Sequence, residues 1–304
     1  MITFKLGGGL GNQMFQYAFL YAQLKQNEIY PNCVKVIMHR NRNEDHRDFA
    51  LDVFDTSISL DPIDEDCANI SFKTLALLRV LLSKCSRVLK LDDETAQKIM
   101  GKFGIVYANR IYETYSSCVI KRNTKFIEGA FQSWKYFDSI REDILNEFRF
   151  KQKPSDKCKM MMNQIIKTNA VCVHVRRGDY INSYYSRTLA VCDYEYYKKG
   201  MDYIANKVEN PIFYIFTNSH QDHLWIKENY IFGYPVVNVD LENPDYEELR
   251  LMSSCKHFII SNSTFSWWAQ YLAQNSSKIV IAPKRWNNVD KDFDGIYMPN
   301  WTII

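Results

Sequence analysis

The segment Ala170-Val171-Cys172-Val173-His174-Val175-Arg176-Arg177-Gly178-Asp179-Tyr180 opens with a short apolar run and then turns abruptly polar. Continuous rather than alternating hydrophobicity over so few residues describes a strand buried on both faces, and hence a parallel sheet covered by helices. The runs Ile212–Phe216, Val236–Asp240, His257–Ile260 and Lys278–Ala282 repeat the pattern. Helical patterns at Tyr194–Val208, Gln221–Tyr230, Tyr246–Ser254 and Phe265–Gln274 separate them, with helix starts at Asp193 and at Pro244-Asp245. The second half of the chain therefore reads as a doubly wound α/β lobe.

The first half is less regular. Ile2–Leu6, Val34–Met38 and Lys125–Glu128 read as strands, Asn12–Gln26 as a helix, and Ser71 to about Leu91 as a long helical stretch. Asn41–Asp48 is a polar segment, and the polar cluster Lys151–Asp156 marks a boundary between lobes at 1–152 and 153–304. Two such lobes are expected to enclose a cleft, with ligands at the carboxyl ends of the strands.

Composition narrows the functional classes. With 38 Lys and Arg against 35 Asp and Glu, the net charge of +3 gives no reason to expect nucleic acid as a partner. The aromatic content, 14%, is assigned mainly to core packing. The apolar run Leu75–Leu82 is broken by Arg79 and falls far short of the roughly 20 residues that span a bilayer. The amino terminus runs into Gly7, Gly8, Gly9 and Gly11 and does not read as a secretory signal. Eight cysteines without a Cys-x-x-Cys pair are expected to be reduced and mostly buried. A cytoplasmic location is the expectation.

Three motifs carry candidate chemistry. Gly7-Gly8-Gly9-Leu10-Gly11-Asn12-Gln13 follows the first strand, where a tight turn admits a ligand and the next helix offers free N–H groups. It lacks the Lys-Ser/Thr of a phosphate loop and the third glycine of a dinucleotide loop. In His174–Tyr180, alternation along the strand turns His174 and Arg176 one way and Val175 and Arg177 the other. Arg176 at the strand end has the fork needed to hold a diphosphate without a metal. Ser261-Asn262-Ser263-Thr264-Phe265-Ser266-Trp267-Trp268 puts hydroxyls at a helix start, where they serve either as caps or as phosphate ligands. Three other patterns are weak as metal sites: Asp64-Glu65-Asp66 lies in a polar loop with no strand before it, and the pair His220 and His223 lacks a third ligand. Asp290–Gly295 lacks the glutamate that closes a calcium loop.

At these motifs the chain resembles the bacterial α-1,2-fucosyltransferases of glycosyltransferase family 11. The likeness rests on Gly8–Ala18, His174–Tyr180, Leu251-Met252, Cys255–His257, Ser261–Trp268 and Val280–Trp286, with weaker echoes at Arg47–Phe54 and Glu128–Ser133. It departs at Thr217-Asn218-Ser219, where the family usually has Ser-Asp-Asp, and at Glu248, where Asp is expected. The resemblance implies a GT-B-type α/β enzyme with two Rossmann-like lobes whose parallel sheets face a central cleft. It further implies transfer of L-fucose from GDP-fucose, with inversion, to O2 of a terminal galactose in an oligosaccharide, in surface-glycan synthesis of the O-antigen type.

By the same resemblance Arg176 meets the donor phosphates, His174 lies near the nucleotide, and Ser263, Thr264, Phe265 and Ser266 follow the diphosphate. Asn12, Gln13, Glu248 and Asn262 complete the donor set. Arg176, Asn12 and Asp179 are the catalytic candidates; Asp179 serves equally as an acceptor-hydroxyl base or as an ion-pair partner of Arg177. Trp267, Gln132 and Tyr180 are assigned to the acceptor, and neither metal nor other cofactor is expected. The rivals are a Rossmann epimerase or dehydrogenase, which lacks its glycine fingerprint here, and a glycan-binding lectin, which needs no diphosphate clamp. A fucosyltransferase of another linkage also stands. Finally, Lys73, Arg79, Lys84, Arg87 and Lys90 fall on one face of the helix 71–91, about 140° wide, with leucines and valines elsewhere. The expectation is an apolar side on the core and bases in water, or resting on an anionic inner-membrane surface.

Overall fold

Ile2-Thr3-Phe4-Lys5-Leu6 forms β1, flanked on both sides, and buries Phe4 and Leu6 completely. The computed structural model describes residues 1–38, 48–108, 119–177, 186–189, 192–288 and 295–304. These divide into two compact units, Met1–Lys151 with Asp292–Ile296, and Gln152–Lys291 with Tyr297–Ile304.

In the first unit β1 is followed by α1 (Leu10–Gln26), β2 (Val34–Met38), β3 (Ile63–Asp64), α2 (Ile70–Val88), α3 (Asp93–Lys102), β4 (Ile105–Tyr107), β5 (Phe126–Glu128) and α4 (Arg141–Glu147). The five strands are parallel, in the order β3-β2-β1-β5-β4. Helix α1 is buried nearly all round, its apolar residues filling the unit and its glutamines Gln13, Gln16 and Gln23 enclosed with them. Phe19 stacks on Phe131 with ring centroids 3.8 Å apart. Tyr17 donates its hydroxyl to Glu147, and burial with that carboxylate pushes the phenol well above its ordinary range.

Asn69 and Asp92 cap α2 and α3 by accepting from the N–H groups of Phe72 and Thr95. Lys90, at φ 51, stands in the left-handed region between these helices and ends the longer stretch expected there. The orientation of α2 corrects the sequence reading. Arg79 is turned inward onto Glu128 (2.7 Å) and over the ring of Tyr107, whereas Leu77 and Leu81 are exposed. The five bases therefore do not share a solvent face.

In the second unit the order is α5 (Asp156–Ile166), β6 (Asn169–Val175), α6 (Ser186–Leu189), α7 (Tyr194–Ala205), β7 (Pro211–Thr217), α8 (His220–Asn229), β8 (Val236–Asn238), α9 (Asp245–Ser253), β9 (His257–Ile259), α10 (Thr264–Leu272), β10 (Val280–Ala282) and β11 (Thr302–Ile303). All six strands are parallel, in the order β11-β10-β9-β6-β7-β8. The apolar run of the opening segment is β6, central in the sheet and paired with β7 and β9. Both units thus have the parallel α/β build expected of a GT-B-type chain. Among the described cysteines all seven are free, but Cys33, Cys67 and Cys85 are exposed, against the expectation of mostly buried thiols. No helix among the described residues is long and apolar enough to cross a membrane.

Candidate active site

The carboxyl ends of β6, β7 and β9 bring together the second unit's candidate residues. His174 is the next-to-last residue of β6, and its Nδ1 lies 2.8 Å from the Oγ of Ser261, just beyond β9. Burial, then the nearby charge of Arg176, lowers the His174 pKa to about 3, so the ring is neutral across the physiological range. Arg176 follows on the same side and is partly buried. Arg177 turns to the opposite side, as the strand alternation requires, and stacks on Trp225 with its Nε 3.5 Å from Asp222. Asp179 and Tyr180 lie outside the described residues.

Tyrosines from α7 hold these strand ends from below. Tyr197 donates to the carbonyl of His174 at 3.2 Å, and Tyr196 to that of Ile260 at 2.5 Å. The sequence reading did not single out either. Thr217, noted in the sequence only as a departure from the family pattern, ends β7 opposite Val175. The Thr217 hydroxyl is buried without a hydrogen-bond partner among the described residues, so a polar ligand atom is the natural complement. Its position at the end of a strand adjacent to β6 is the signal that could have found it.

The hydroxyl motif divides by role. Ser263 caps α10, accepting from the Phe265 N–H at 3.3 Å. Ser266 is fully buried and donates to the carbonyls of Ser261 and Ser263. Its hydroxyl fixes the turn and is not presented to a donor. Asn262 gives its amide hydrogens to the carbonyls of Leu189 (2.8 Å) and Trp286 (2.9 Å), and its Oδ1 faces the Cys192 thiol at 3.7 Å. That side chain ties three segments together instead of pointing at a ligand. Thr264 and Phe265 remain partly exposed at the helix start, with the Phe265 ring 6.0 Å from that of His174. Trp267 corrects the acceptor assignment most plainly. It is 0% exposed, stacked on Tyr271 (5.0 Å) and packed on Trp268 and Trp301.

Two adjacent acids on α9 have different environments. Glu247 is gripped by the N–H (2.8 Å) and hydroxyl of Ser155. Glu248 is largely buried, and desolvation together with Asp245 and Asp240 pushes its pKa up to about 8. It is therefore a neutral acid, able to donate, at neutral pH.

In the first unit the glycine loop enters α1 through Gly8, at φ +80, where a Cβ would meet the Asn12 Nδ2 at 2.5 Å. Glycine is thus required both by the turn and by the approach of Asn12. Gly9, by contrast, faces open space and supplies no side-chain cap to the helix. Asn12 accepts from the Nε2 of Gln132 at 3.0 Å, pairing a donor candidate with an acceptor candidate inside one unit. Gln132 is 6% exposed and its Oε1 has no partner among the described residues. Gln13 is a correction: it is fully buried, donating to the carbonyls of Gly8 and Asp48 (both 2.8 Å) and accepting from Ala50 N–H (2.9 Å). It fastens the segment beginning at residue 48 to the loop, and both of its amide hydrogens are committed inside the unit.

No group of His, Cys, Asp or Glu that could hold a metal ion occurs among the described residues. Asp64 does end a short strand, contrary to the sequence reading, and Glu65 is paired with the Nζ of buried Lys5 at 3.0 Å. His220 is held by Asp240 at 2.5 Å, and the acidic pattern from Asp290 lies outside the described residues up to Gly295.

What the ends of β6 and β7 offer is a guanidinium two residues past a neutral buried imidazole and, at Thr217, a hydroxyl unpartnered among the described residues, while the un-ionised Glu248 lies on α9. The chain is 29% identical to the Escherichia coli O-antigen biosynthesis glycosyltransferase WbnK over 97% of its own length and 98% of the relative's. It is 30% identical to an Escherichia coli alpha-1,2-colitosyltransferase, covering 94% and 92%. A shorter match, 30% identity over 46% of this chain and 41% of the other, is to the human galactoside alpha-(1,2)-fucosyltransferase 1. The family model for glycosyl transferase family 11 matches residues 1–304, and the chain belongs to that family.

Proposed function

We propose that this glycosyltransferase moves L-fucose from GDP-fucose to O2 of a galactose in an oligosaccharide, inverting the anomeric carbon. The observation that carries the reading is the shared α-1,2 linkage in the names of two relatives at 30% identity, one of which acts on a galactoside. The similarity to an O-antigen biosynthesis enzyme supports a surface-glycan role in the cytoplasm of a bacterium.

In the reaction the acceptor oxygen bonds to fucosyl C1 as the bond from C1 to the phosphate oxygen breaks. The electron pair leaves with GDP, and the acceptor proton passes to a base or to water. Charge therefore grows on the leaving diphosphate, and fixed donors at that position act more strongly in the transition state than in the bound substrate. Arg176 is the candidate for this task; Thr264 at the start of α10 and Asn12 in the glycine loop are further candidates. Neutral His174 and protonated Glu248 donate or accept without adding charge next to an anionic donor. Asp179 is the candidate base.

A second reading has its own support, since one relative transfers colitose, a fucose lacking the 3-hydroxyl. The test is a product assay with GDP-fucose and GDP-colitose against galactose-terminated and galactose-free glycans. Release of GDP with a new α-1,2-fucosyl galactose is the expected result. Transfer from GDP-colitose alone, or to a sugar other than galactose, would replace the reading.

A further inference from the structure

Helix α2 turns an apolar stripe outward. Ile70, Leu77, Leu81 and Val88 expose 83%, 61%, 51% and 80% of their surfaces. At about 100° per residue these four positions fall within an arc of about 40°. Phe72 and Ser83, both buried, and Arg79, on Glu128, occupy the opposite side. Lys73 and Lys84 stand exposed along one border of the stripe, Arg87 is exposed further round, and Lys90 lies just beyond the helix with Leu89. No acid occurs from Cys67 to Leu91; Asp64, Glu65 and Asp66 precede this stretch, Glu65 paired with Lys5, and Asp92, Asp93 and Glu94, which cap and open α3, follow it.

A row of large apolar side chains exposed along one helix face marks a surface that something covers. The sign of the charge selects what. A second copy laid on this face would bring Lys73, Lys84 and Arg87 against their own kind, whereas an anionic lipid surface attracts each of them. The helix is 19 residues long, about 28 Å at 1.5 Å per residue, enough to lie in the plane of the interface with its leucines below the headgroups. The lysines at its border can then reach the phosphates while their stems stay apolar.

We propose that α2 is a membrane-docking helix that seats the protein reversibly on an anionic bilayer, through the Ile70–Leu77–Leu81–Val88 stripe and its basic border. The proposal is independent of which sugar is transferred. It differs from a purely electrostatic contact, because the leucines enter the lipid and Arg79 takes no part.

The experiment is co-sedimentation of the full chain with phosphatidylcholine vesicles, with and without phosphatidylglycerol, at low and high salt. Wild type should bind the anionic vesicles and lose binding roughly tenfold or more in the Lys73→Gln/Lys84→Gln/Arg87→Gln variant. The Leu77→Gln/Leu81→Gln variant, whose positions are exposed, should lose binding to a similar degree with unchanged circular dichroism and activity. As a check without substitution, amide hydrogen exchange of wild type on anionic vesicles should slow in residues 70–89. Absence of binding, equal binding to neutral vesicles, or a leucine variant that binds like wild type would overturn the proposal. So would exchange protection confined to other segments. Self-association in solution that disappears in the leucine variant, without vesicle binding, would instead make the stripe an interface between copies.

Discussion

The imidazole of His174 and the hydroxyl of Ser261 lie 2.8 Å apart across the ends of two neighbouring parallel strands, β6 and β9. The pair locks the ring by its Nδ1 and leaves it neutral, with a pKa lowered to about 3 by burial and by Arg176. In the unfolded chain a histidine titrates near 6.5. Below that pH the unfolded state takes up a proton that the folded state refuses. Stability is therefore complete above pH 6.5 and falls, by up to about 1.4 kcal/mol per pH unit, as the pH drops toward 3. The check is nuclear magnetic resonance of the His174 ring, whose shifts should stay constant between pH 5 and 8.

Arg176 is the predicted clamp on the leaving diphosphate. Arg176→Ala should lose about 3 kcal/mol or more of transition-state stabilisation, on the order of a hundredfold in kcat or greater. Arg176→Lys should recover only part, because a point charge replaces a two-pronged donor. Steady-state kinetics with GDP release as the readout, on variants with wild-type melting curves, tests this. Wild-type turnover in the alanine variant would remove Arg176 from the mechanism.

Trp267 should behave as a core residue. Trp267→Ala is expected to cost about 3–5 kcal/mol of stability, measured by denaturant unfolding. Trp267→Phe keeps most of the ring packing and should leave the acceptor KM unchanged. A rise in acceptor KM in the phenylalanine variant, at normal stability, would restore the contact that the burial denies.

Glu248 supplies a pH signature of the opposite sense. Its folded pKa, about 8, lies above the ordinary carboxylate value of 4.5 because of burial and its acidic neighbours. Its contribution to stability is full below pH 4.5 and is lost as the pH rises through 8. Glu248→Gln cannot ionise, so its stability relative to wild type should increase between pH 5 and 8. Urea midpoints of both proteins at the two pH values measure the change, and a constant difference would contradict the neutral acid.

Metal independence is the expectation for the reaction, given that positive charge from Arg176 is available to the phosphates. Activity should survive EDTA. A complete loss that Mn²⁺ restores would place the phosphate site elsewhere.

Much of the second unit was legible because β6 runs apolar from Ala170 to Val173, and a central strand of a covered parallel sheet is buried on both faces. Arg176 and Arg177 diverge as strand alternation says they should. The side of α2 was not legible. Its leucines and valines are spread around the helix, and the contact that orients it, Arg79 to Glu128, joins residues 49 apart in sequence. Gln13 was misread for a related reason. A polar residue opening a helix beside a glycine loop suggests a ligand, but α1 is enclosed on all sides and uses that amide to fasten Asp48 and Ala50. The same holds at Asn262, whose partners Leu189 and Trp286 are 73 and 24 residues away. Side-chain type showed that hydrogen bonds would be made there, and only tertiary structure shows with whom.

The segment at residues 295 and 296 belongs to the first unit although 140 residues of the second precede it. Gly295 accepts from the N–H of Trp134 at 3.1 Å, and its Cα sits so close to Ser133 that a Cβ would lie 2.6 Å from the serine hydroxyl. During synthesis at about 5–20 residues per second, the first unit therefore waits roughly 7–29 seconds after residue 151 emerges before its last piece arrives. Only a few residues later, β11 closes the edge of the second sheet. A ribosome that stops short of this stretch releases two unfinished units at once. Completion of both is thus tied to a single late event in translation, so truncated products should be recognisable to proteases in either half.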